Sequence, residues 1–252
     1  KENAKKKKRK PPLKLEQNPQ RVFERVLKRV KKEYDPVQLE LISNELSEEA
    51  LRPLISIYKA NLVTPRHVQE HGQTDFDQFT AKVYRAYTDQ LKKSNKVDDD
   101  DCVTLCALFL ADNEEARIKY SSKFDYVLID EFQECTAAQI LMARLLSYPQ
   151  DNLFITGDED EALFEAKGGQ SRVIAETSIR MPNARCYTLE KNWRSHKAIV
   201  KSSVSLLAAM AVRMIPKKME FALEAKTRNA IIGPNEEKNE REEVEWVAKE
   251  VA

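Results

Sequence analysis

The first hundred residues show the hydrophobic spacing of amphipathic helices, with apolar positions recurring every three or four residues. Three such stripes occur: Val22, Phe23, Val26, Leu27 and Val30; Ala50, Leu51, Leu54, Ile55 and Tyr58; and Phe76, Phe79, Val83, Tyr84, Tyr87 and Leu91. Asn18-Pro19 and Thr64-Pro65 are typical of helix starts. The pattern predicts an α-helical subdomain over residues 17–95.

Short apolar runs replace the helical stripes after about residue 124. They cover residues 126–129, 153–156 and 186–189, and an apolar helical stretch near residues 140–146 separates the first two. Short apolar strands that alternate with helices are typical of a parallel α/β sheet, whose ligands bind at the carboxyl ends of the strands. The first run is followed by Asp130-Glu131 and the second by Gly157-Asp158. The sequence therefore predicts buried strands that deliver acidic residues to one edge of a sheet.

The rest of the chain is predicted to be mostly helical. Residues 195–213 have the pattern of one helix, residues 226–238 are polar and loop-like, and residues 244–251 begin another helix. At the other end, residues 1–16 are expected to form a disordered tail that contains a basic run: Lys5, Lys6, Lys7, Lys8, Arg9 and Lys10. A solvated arm, a nuclear-localisation signal and a phosphate-contacting patch all remain open for this run.

Composition narrows the function classes. The net charge is only +1, so any nucleic-acid binding must come from local patches rather than from a global basic field. The four cysteines show no CxxC spacing, which favours reduced thiols in an intracellular protein over a disulfide framework or a zinc site. No apolar run reaches the roughly 18 residues of a membrane span, so no membrane partner is expected. The basic run leaves the nucleus open as a location, beside an organelle or a bacterial cytoplasm.

The segment from Tyr126 to Gln133 carries the strongest chemical signal. An apolar strand that ends in Asp-Glu is the Walker B arrangement, in which the aspartate holds a magnesium ion on nucleotide phosphates and the glutamate polarises the attacking water. On these residues alone, a strand that ends in an ordinary charged turn is an equally good interpretation.

Four segments in order resemble motifs of the UvrD/Rep/PcrA-type superfamily one helicases. Asp130-Glu131-Phe132-Gln133 is similar to the DEFQD box, and residues 155–164 are similar to the VGDDDQSIY segment. Residues 189–195 resemble LEQNYRS, and Val97-Asp98-Asp99-Asp100-Asp101 resembles VDFDDL, with Tyr84 and Tyr87 on the preceding helix. Residues 242–247 are similar to a helix of the family's second motor domain.

The resemblance implies a parallel-sheet, P-loop-type (RecA-like) α/β motor domain with an inserted α-helical subdomain and the start of a second motor domain. The implied organisation is a basic tail over 1–16, a helical subdomain (1B-like) over 17–95, part of motor domain 1 over 96–184 and the start of motor domain 2 over 185–252. In this family, ATP binds in the cleft between the motor domains and drives movement along single-stranded DNA. RNA as a substrate and membership of a larger protein complex are left open.

The resemblance also implies roles for individual residues. Asp130 is expected to bind Mg²⁺, and Glu131, Gln133 and Arg194 are the expected catalytic residues, with Glu131 as the base and Arg194 on the γ-phosphate of ATP. Trp193 occupies the place of a tyrosine that stacks on adenine. Glu161 occupies the place of a glutamine that senses the γ-phosphate. Nucleic acid is expected to contact Lys167 and the basic run of residues 5–10.

Several positions depart from the family pattern. Ala166 stands where the family has an aromatic residue that stacks on a DNA base, and Lys167 replaces an arginine. Glu134 and Asp99 replace an aspartate and a phenylalanine. Glu161 places a carboxylate where phosphate charge is expected, which predicts repulsion. The 252 residues also contain no GxxxxGK[ST] phosphate loop, so we expect this chain by itself to hydrolyse no ATP.

Three functions are therefore weighed. The first is part of an ATP-dependent helicase or translocase, favoured by Asp130, Glu131, Trp193 and Arg194. The second is a helicase-derived scaffold, or a nucleic-acid-binding subunit of a larger complex, that no longer hydrolyses ATP; it is favoured by Glu161 and Ala166. The third is a nucleic-acid-binding module that uses only the basic run. Whether the protein is an enzyme stays open on sequence alone.

Overall fold

The computed structural model of this chain divides into two compact units, residues 1–177 and residues 178–252. The structure describes the following residues: 11–42, 46–163, 167–170, 172–181, 183–208, 218–222 and 240–251. Helices and short parallel strands alternate along them, which confirms the α/β class predicted from the sequence. None of the helices in this part of the chain combines the length and apolar character needed to span a bilayer.

The first unit begins with a short strand and a group of helices. They are β1 (Lys14–Leu15), α1 (Pro19–Lys31), α2 (Pro36–Ile42), α3 (Glu48–Ala60), α4 (Pro65–His71) and α5 (Asp75–Lys93). Side chains that precede a helix satisfy its first N–H groups: Asn18 caps α1, Ser47 caps α3, and Thr74 forms a reciprocal capping box with Asp77 on α5. The predicted helix start at Thr64-Pro65 is confirmed.

The predicted apolar stripes form the core of this helical group. Its fully buried side chains include Phe23 of α1, Leu51 and Ile55 of α3, and Phe79 of α5. The rings of Phe23 and Tyr87 meet edge to face, with centroids 5.1 Å apart. Helices α1, α3 and α5 therefore turn their apolar stripes inward and leave a polar face in solvent.

A two-residue strand closes the helical group. β2 (Lys96–Val97) pairs in parallel with β1, so part of the predicted tail, Lys14–Leu15, is ordered in a sheet. The chain then continues into α6 (Asp99–Asp112) and α7 (Glu114–Ser121). The domain boundaries predicted at residues 16, 95 and 184 stay predictions, as does the identity of the helical group as an inserted subdomain.

A second parallel pair contains the strand ends that the sequence singled out. β3 (Val127–Ile129) and β4 (Leu153–Ile155) pair residue for residue, and α8 (Ala137–Ser147) connects them. The prediction of fully buried strands is wrong on one face of this sheet: the register partners Leu128 and Phe154 are 71% and 59% exposed. No element of the described chain covers that face, so only the alternate residues of each strand are partly buried.

The end of the chain contains one further strand pair and three helices. These elements are α9 (Val173–Arg180), which contains the boundary between the units, β5 (Lys191–Asn192), α10 (Lys197–Ala208), β6 (Glu220–Phe221) and α11 (Glu240–Val251). The predicted strand over residues 186–189 is wrong. Tyr187 and Leu189 are 80% and 94% exposed, no strand among the described residues pairs with this run, and the β-pairing begins at Lys191. The helix predicted over 195–213 begins at Lys197, and residues 209–217 lie outside the described residues.

Candidate nucleotide site and its supporting contacts

The carboxyl ends of β3 and β4 are joined by backbone hydrogen bonds beyond the strands themselves. The N–H of Thr156 donates to the carbonyl of Ile129 at 2.9 Å, and the N–H of Phe132 donates to the carbonyl of Thr156 at 2.9 Å. These bonds place Asp130-Glu131 beside the segment that begins at Gly157. The structure therefore brings together two of the segments that the sequence predicted to form one site.

Asp130 presents an exposed carboxylate at this edge. Its Oδ1 accepts hydrogen bonds from the hydroxyl of Thr156 and from the backbone N–H of Glu131, the latter at 3.0 Å. Among the described residues, no group of three or more acidic, histidine or cysteine side chains is arranged to hold a metal. Mg²⁺ commonly takes only one or two carboxylates and completes its shell with phosphate oxygens and water. Asp130 thus fits a magnesium ion that arrives with nucleotide phosphates.

Glu131 has a left-handed backbone conformation, with φ 52° and ψ 47°. Residues other than glycine adopt this region at a cost, and such residues are frequent at functional sites. The turn swings the chain from β3 into a single 3-10 turn, Phe132–Glu134. The exposed Glu131 side chain accepts a 2.7 Å hydrogen bond from Nε2 of Gln133, so its position is set by a buried neighbour.

Gln133 is the buried centre of the site, with only 1% of its surface exposed. Its Nε2 donates to Glu131, its Oε1 accepts from the N–H of Asp158 at 3.2 Å, and its backbone carbonyl accepts from the N–H of Gln170 at 3.0 Å. A side-chain amide supplies a donor and an acceptor on two separate atoms, whereas an ionised carboxylate supplies acceptors alone. Gln133 therefore links the strand end to the segment after β4.

Position 157 has no room for a side chain because the amide of Gln133 lies against it. A β-carbon at this position would overlap Oε1 of Gln133 and lie 2.7 Å from Cδ1 of Ile174 and 3.1 Å from the N atom of Phe132. Two of these obstacles are a buried side chain and a backbone atom, which cannot easily move aside. The glycine thus permits the close approach of the two segments.

Asp158 starts a short acidic turn. Its side chain accepts from the N–H of Asp160 at 3.0 Å and caps the 3-10 helix Glu159–Glu161. Glu161, predicted to face the γ-phosphate, is exposed at the end of this helix. Glu134, which replaces an aspartate of the resembled motif, accepts from the N–H of Leu163 at 2.7 Å. The longer carboxylate therefore has a structural role of its own, in holding the end of the turn.

The second unit holds the other predicted nucleotide residues. The side-chain Oδ1 of Asn192 accepts from the N–H groups of Arg194 and Ser195, at 3.0 and 2.8 Å, and folds the chain into a tight turn after β5. The turn leaves Trp193 67% exposed, so its indole is outside the core of this unit, and Arg194 is exposed too. Both side chains are accessible to a ligand.

The predicted nucleic-acid contacts are placed only in part. Lys167 is exposed and follows directly on the segment 164–166. Ala166 and the basic run of residues 5–10 lie outside the described residues. The roles predicted for them stay predictions.

A model of the UvrD/REP helicase N-terminal domain matches residues 1–182, which is well over half of the chain. The chain belongs to the UvrD/REP helicase family. This finding confirms the resemblance drawn from the sequence motifs. Because the matched region ends at residue 182, the turn that carries Trp193 and Arg194 lies outside it.

Bacterial helicases are among the relatives of this UvrD/REP family chain. ATP-dependent DNA helicase Rep of Buchnera aphidicola subsp. Schizaphis graminum is 28% identical over 191 residues, or 76% of this chain and 29% of the relative. ATP-dependent DNA helicase PcrA of Leuconostoc citreum is 29% identical over 181 residues, or 72% and 24%. Rep of Escherichia coli K12 is 28% identical over 190 residues, or 75% and 28%. The chain thus spans between 24% and 29% of the length of these relatives.

Sequence reasoning missed one polar junction of the UvrD/REP chain, at the end of α3. Oδ1 of Asn61 accepts from Nε2 of Gln170 at 3.1 Å and from the N–H of Ala137 at 3.5 Å, while its Nδ2 donates to the carbonyl of Ile57 at 3.2 Å. Gly168, with φ +97°, passes so close that a β-carbon would lie 2.8 Å from Nδ2 of Asn61. An asparagine just after a helix is a recognisable capping signal, but Ala137 and Gln170 are more than 70 residues away in sequence.

A buried ionic cluster was also missed, although the acidic segment around it had been singled out. Nζ of Lys59 lies 2.6 Å from Oδ2 of Asp98 and 2.9 Å from Oδ1 of Asp101, and the lysine is only 2% exposed. The hydroxyl of Tyr87 donates to Asp98 at 2.9 Å. A lysine at the end of an apolar helical stripe is the one sequence signal that points to such a pair.

The two carboxyls of this cluster titrate differently. Burial raises the pKa of Asp98, but the charge and hydrogen bond of Lys59, together with the Tyr87 hydroxyl, outweigh it and leave that pKa below its ordinary value. Burial also raises the pKa of Asp101, and Lys59 does not offset it, so that pKa stays above its ordinary value. One lysine cannot neutralise two buried carboxylates, and Asp101 bears the difference.

Proposed function

We propose that this chain is part of an ATP-dependent DNA helicase or translocase of the UvrD type, with a RecA-like nucleotide site at the carboxyl ends of β3 and β4. The observation that carries the proposal is the hydrogen-bonded set of Asp130, Glu131 and Gln133 at that edge. A charged turn without function needs neither a glutamate in the left-handed backbone conformation nor a buried glutamine that orients the glutamate side chain. The relatives named above are ATP-dependent DNA helicases by name, which supports the same reaction here.

In this proposal, Asp130 holds a magnesium ion and Glu131 accepts the proton of the attacking water. Magnesium, when bound there, would neutralise charge on the nucleotide phosphates. Nε2 of Gln133 holds the Glu131 carboxylate at 2.7 Å, and its Oε1 simultaneously holds the backbone of Asp158. A movement of the acidic turn that begins at Asp158 is therefore transmitted to the proposed base through one side chain.

The second unit contributes two side chains to the proposal. Trp193 offers an exposed aromatic surface for the adenine ring, and Arg194 offers a planar guanidinium for the γ-phosphate. The Asn192 turn supports these roles because it fixes the backbone from which both side chains project. Single-stranded DNA is the proposed track, contacted by Lys167 and the basic run of residues 5–10.

The test compares single substitutions in the longest natural form of the protein. Asp130→Asn and Glu131→Gln are each expected to lower DNA-stimulated phosphate release by at least about a hundredfold, because each removes a group that acts in the transition state. Asp125→Asn is the matched control: Asp125 is an exposed aspartate just before the start of β3, away from the site. Turnover in Glu131→Gln equal to that of the control would exclude the proposed role. Replacing DNA by RNA of the same sequence identifies the track.

A second candidate, a helicase-derived scaffold without hydrolysis, is favoured by one observation. The turn after β4 carries four acidic side chains in succession, from Asp158 to Glu161, beside the proposed phosphate position. Clustered carboxylates repel phosphate charge. A longest natural form that binds DNA and partners but shows no phosphate release in either nucleotide or DNA titrations supports the scaffold.

The bacterial relatives give the basic run no support as a nuclear-localisation signal.

A further inference from the structure

One face of α1 carries an uninterrupted row of basic side chains. We call it the basic stripe, and it consists of Arg21, Arg25, Lys28, Arg29 and Lys32. The spacing i, i+4, i+7, i+8 and i+11 keeps all five on one side of a helix with 3.6 residues per turn. All five are exposed. The opposite side of α1 is buried, with Phe23 and Val30 at 0% and 1% exposure.

Ordinary surface electrostatics does not account for the basic stripe. Among the residues that the structure describes, no ion pair involves a member of the stripe, whereas Lys82, Lys96 and Arg66 elsewhere in the unit pair with glutamates. Like charges at i, i+4 destabilise a helix, and the stripe contains three such pairs: Arg21 with Arg25, Arg25 with Arg29, and Lys28 with Lys32.

The helix dipole explains only three of the five stripe residues. Lys28, Arg29 and the C-cap residue Lys32 lie at the carboxyl end of α1, where positive charge is favourable. Arg21 lies in the first turn of the helix, which contains no acidic residue, and Arg25 lies at its middle. A helix that served stability alone would have the opposite arrangement at its amino end. The row therefore carries an electrostatic cost that binding of an anionic partner would relieve.

The geometry of the stripe fits a linear polyanion. From residue 21 to residue 32 the stripe is about 16 Å long at 1.5 Å per residue. A nucleic-acid strand advances about 3.4 Å per phosphate in a duplex, so this length matches roughly five phosphates, about one for each basic side chain. Because the apolar face of α1 is locked into the core, the row keeps its direction and needs little ordering on binding.

We propose that the basic stripe of α1 binds the sugar-phosphate backbone of a nucleic acid. The proposal rests on the function proposed above only in its choice of nucleic acid as the polyanion. The stripe is a surface separate from the nucleotide site at β3 and β4, and it differs from the basic run of residues 5–10. Backbone contact predicts binding that is indifferent to base sequence and strongly dependent on salt.

The experiment is a salt titration of the 252-residue chain, without nucleotide, against fluorescent oligonucleotides followed by anisotropy. One arm uses a single strand of 25 nucleotides and the other a duplex of 25 base pairs. The stripe variant is Arg25→Gln/Lys28→Gln/Lys32→Gln. The control variant Lys119→Gln/Lys123→Gln/Arg144→Gln removes the same charge from exposed positions on α7, the turn after it and α8. A third version lacks residues 1–10.

The stripe variant is expected to bind at least about tenfold more weakly than the control variant at low salt. Its slope of log affinity against log salt falls by about 3 for the duplex or about 2 for the single strand, since three phosphate contacts are lost. The arm in which the slope falls identifies the form of nucleic acid. Equal affinities of the two variants, or loss only on removal of residues 1–10, overturn the proposal.

Two further outcomes also overturn it. One is an absence of binding to either oligonucleotide by the unaltered chain. The other is displacement by polyglutamate as effective, per charge, as displacement by unlabelled oligonucleotide, which identifies an acidic protein as the partner. Circular dichroism melting verifies that all variants fold. The function proposed above fails by a different measurement, the phosphate release of Asp130 and Glu131 variants, so the two failures are distinguishable.

Discussion

Gly157 and Gln133 lie side by side, and the side chain of Gln133 fills the space beside the glycine. The Gln133 amide lies where a β-carbon of residue 157 would stand, and from there it accepts the N–H of Asp158. The glycine is thus required by its neighbour rather than by its own backbone angles. Its absent side chain lets one buried amide connect the ends of two strands.

The first prediction tests this relationship by a double-mutant cycle. Gln133→Ala is expected to destabilise the first unit by about 1–3 kcal/mol, because the buried N–H of Asp158 loses its acceptor. Gly157→Ala is expected to cost a similar or larger amount through overlap with the amide. In the double variant the overlap with the Gln133 side chain is gone. The double variant is therefore expected to be destabilised by less than the sum of the two single effects. Urea unfolding provides the measurement, with Gln150→Ala in an exposed turn as control.

Strict additivity of Gln133→Ala and Gly157→Ala would contradict this account. It would mean that Ile174 and the Phe132 backbone, which also lie close to position 157, exclude the β-carbon without help from Gln133. Gly157 would then be a packing glycine of the sheet edge.

The second prediction concerns the buried lysine. Lys59→Met removes the counter-charge of Asp98 and Asp101 but keeps much of the side-chain volume. Loss of one partner from a buried ion pair typically costs about 3–5 kcal/mol, because the remaining charge is buried without compensation. Lys82→Met is the control, since the Lys82–Glu33 pair is solvent-exposed and such pairs contribute about 0–1 kcal/mol. Equal unfolding midpoints for the two variants would contradict the prediction.

The third prediction concerns how the stability of Lys59→Met depends on pH. In the unaltered chain, the lowered pKa of Asp98 means that its contribution to stability is present above the unfolded pKa and is lost as the pH falls through the folded pKa. Without Lys59, burial and mutual repulsion raise the pKa values of both carboxyls. The folded state of Lys59→Met then binds more protons than the unfolded state, so its stability is expected to rise as the pH falls from 8 towards 5. Urea unfolding across that range measures the sign.

The fourth prediction concerns Glu161 in the longest natural form of the protein. Two like charges about 4 Å apart at an effective dielectric near 20 repel by about 4 kcal/mol. Even a third of this, after screening by magnesium, weakens ATP relative to ADP by about tenfold. Glu161→Gln is therefore expected to restore the preference for ATP in paired titrations and to raise DNA-stimulated turnover. Glu159→Gln is the neighbouring control. Unchanged ATP preference would show that Glu161 does not face the γ-phosphate.

The helical part of the fold follows closely from the sequence, because its stripes name the core directly. Val22, Phe23, Val26, Leu27 and Val30 were predicted as one buried face, and all five are buried on α1. The strands followed less well. Residues 127–129 pair with residues 153–155, whereas residues 186–189 pair with no strand in the described part of the chain. Apolar character alone does not distinguish these outcomes.

The candidate site was predictable in its residue types and not in its contacts. Asp130 and Glu131 were recognised from a short apolar strand that ends in two acids. The left-handed turn at Glu131 and the two bonds of the Gln133 amide depend on where β4 lies, which is set by tertiary structure. Lys59 was missed for the same reason: its partner Asp98 is 39 residues away in sequence, and no local pattern connects them.

The pairing of β1 with β2 has a consequence for how the protein tolerates changes in loop length. Lys14 lies opposite Lys96 and Leu15 opposite Val97, so the chain enters and leaves the helical group at neighbouring points about 4.8 Å apart. Insertions or deletions in the loops between these two strands change the length of the helical group without displacing the residues that follow β2. The register of Asp98, and with it the start of α6, is thereby insulated from length variation in the preceding eighty residues.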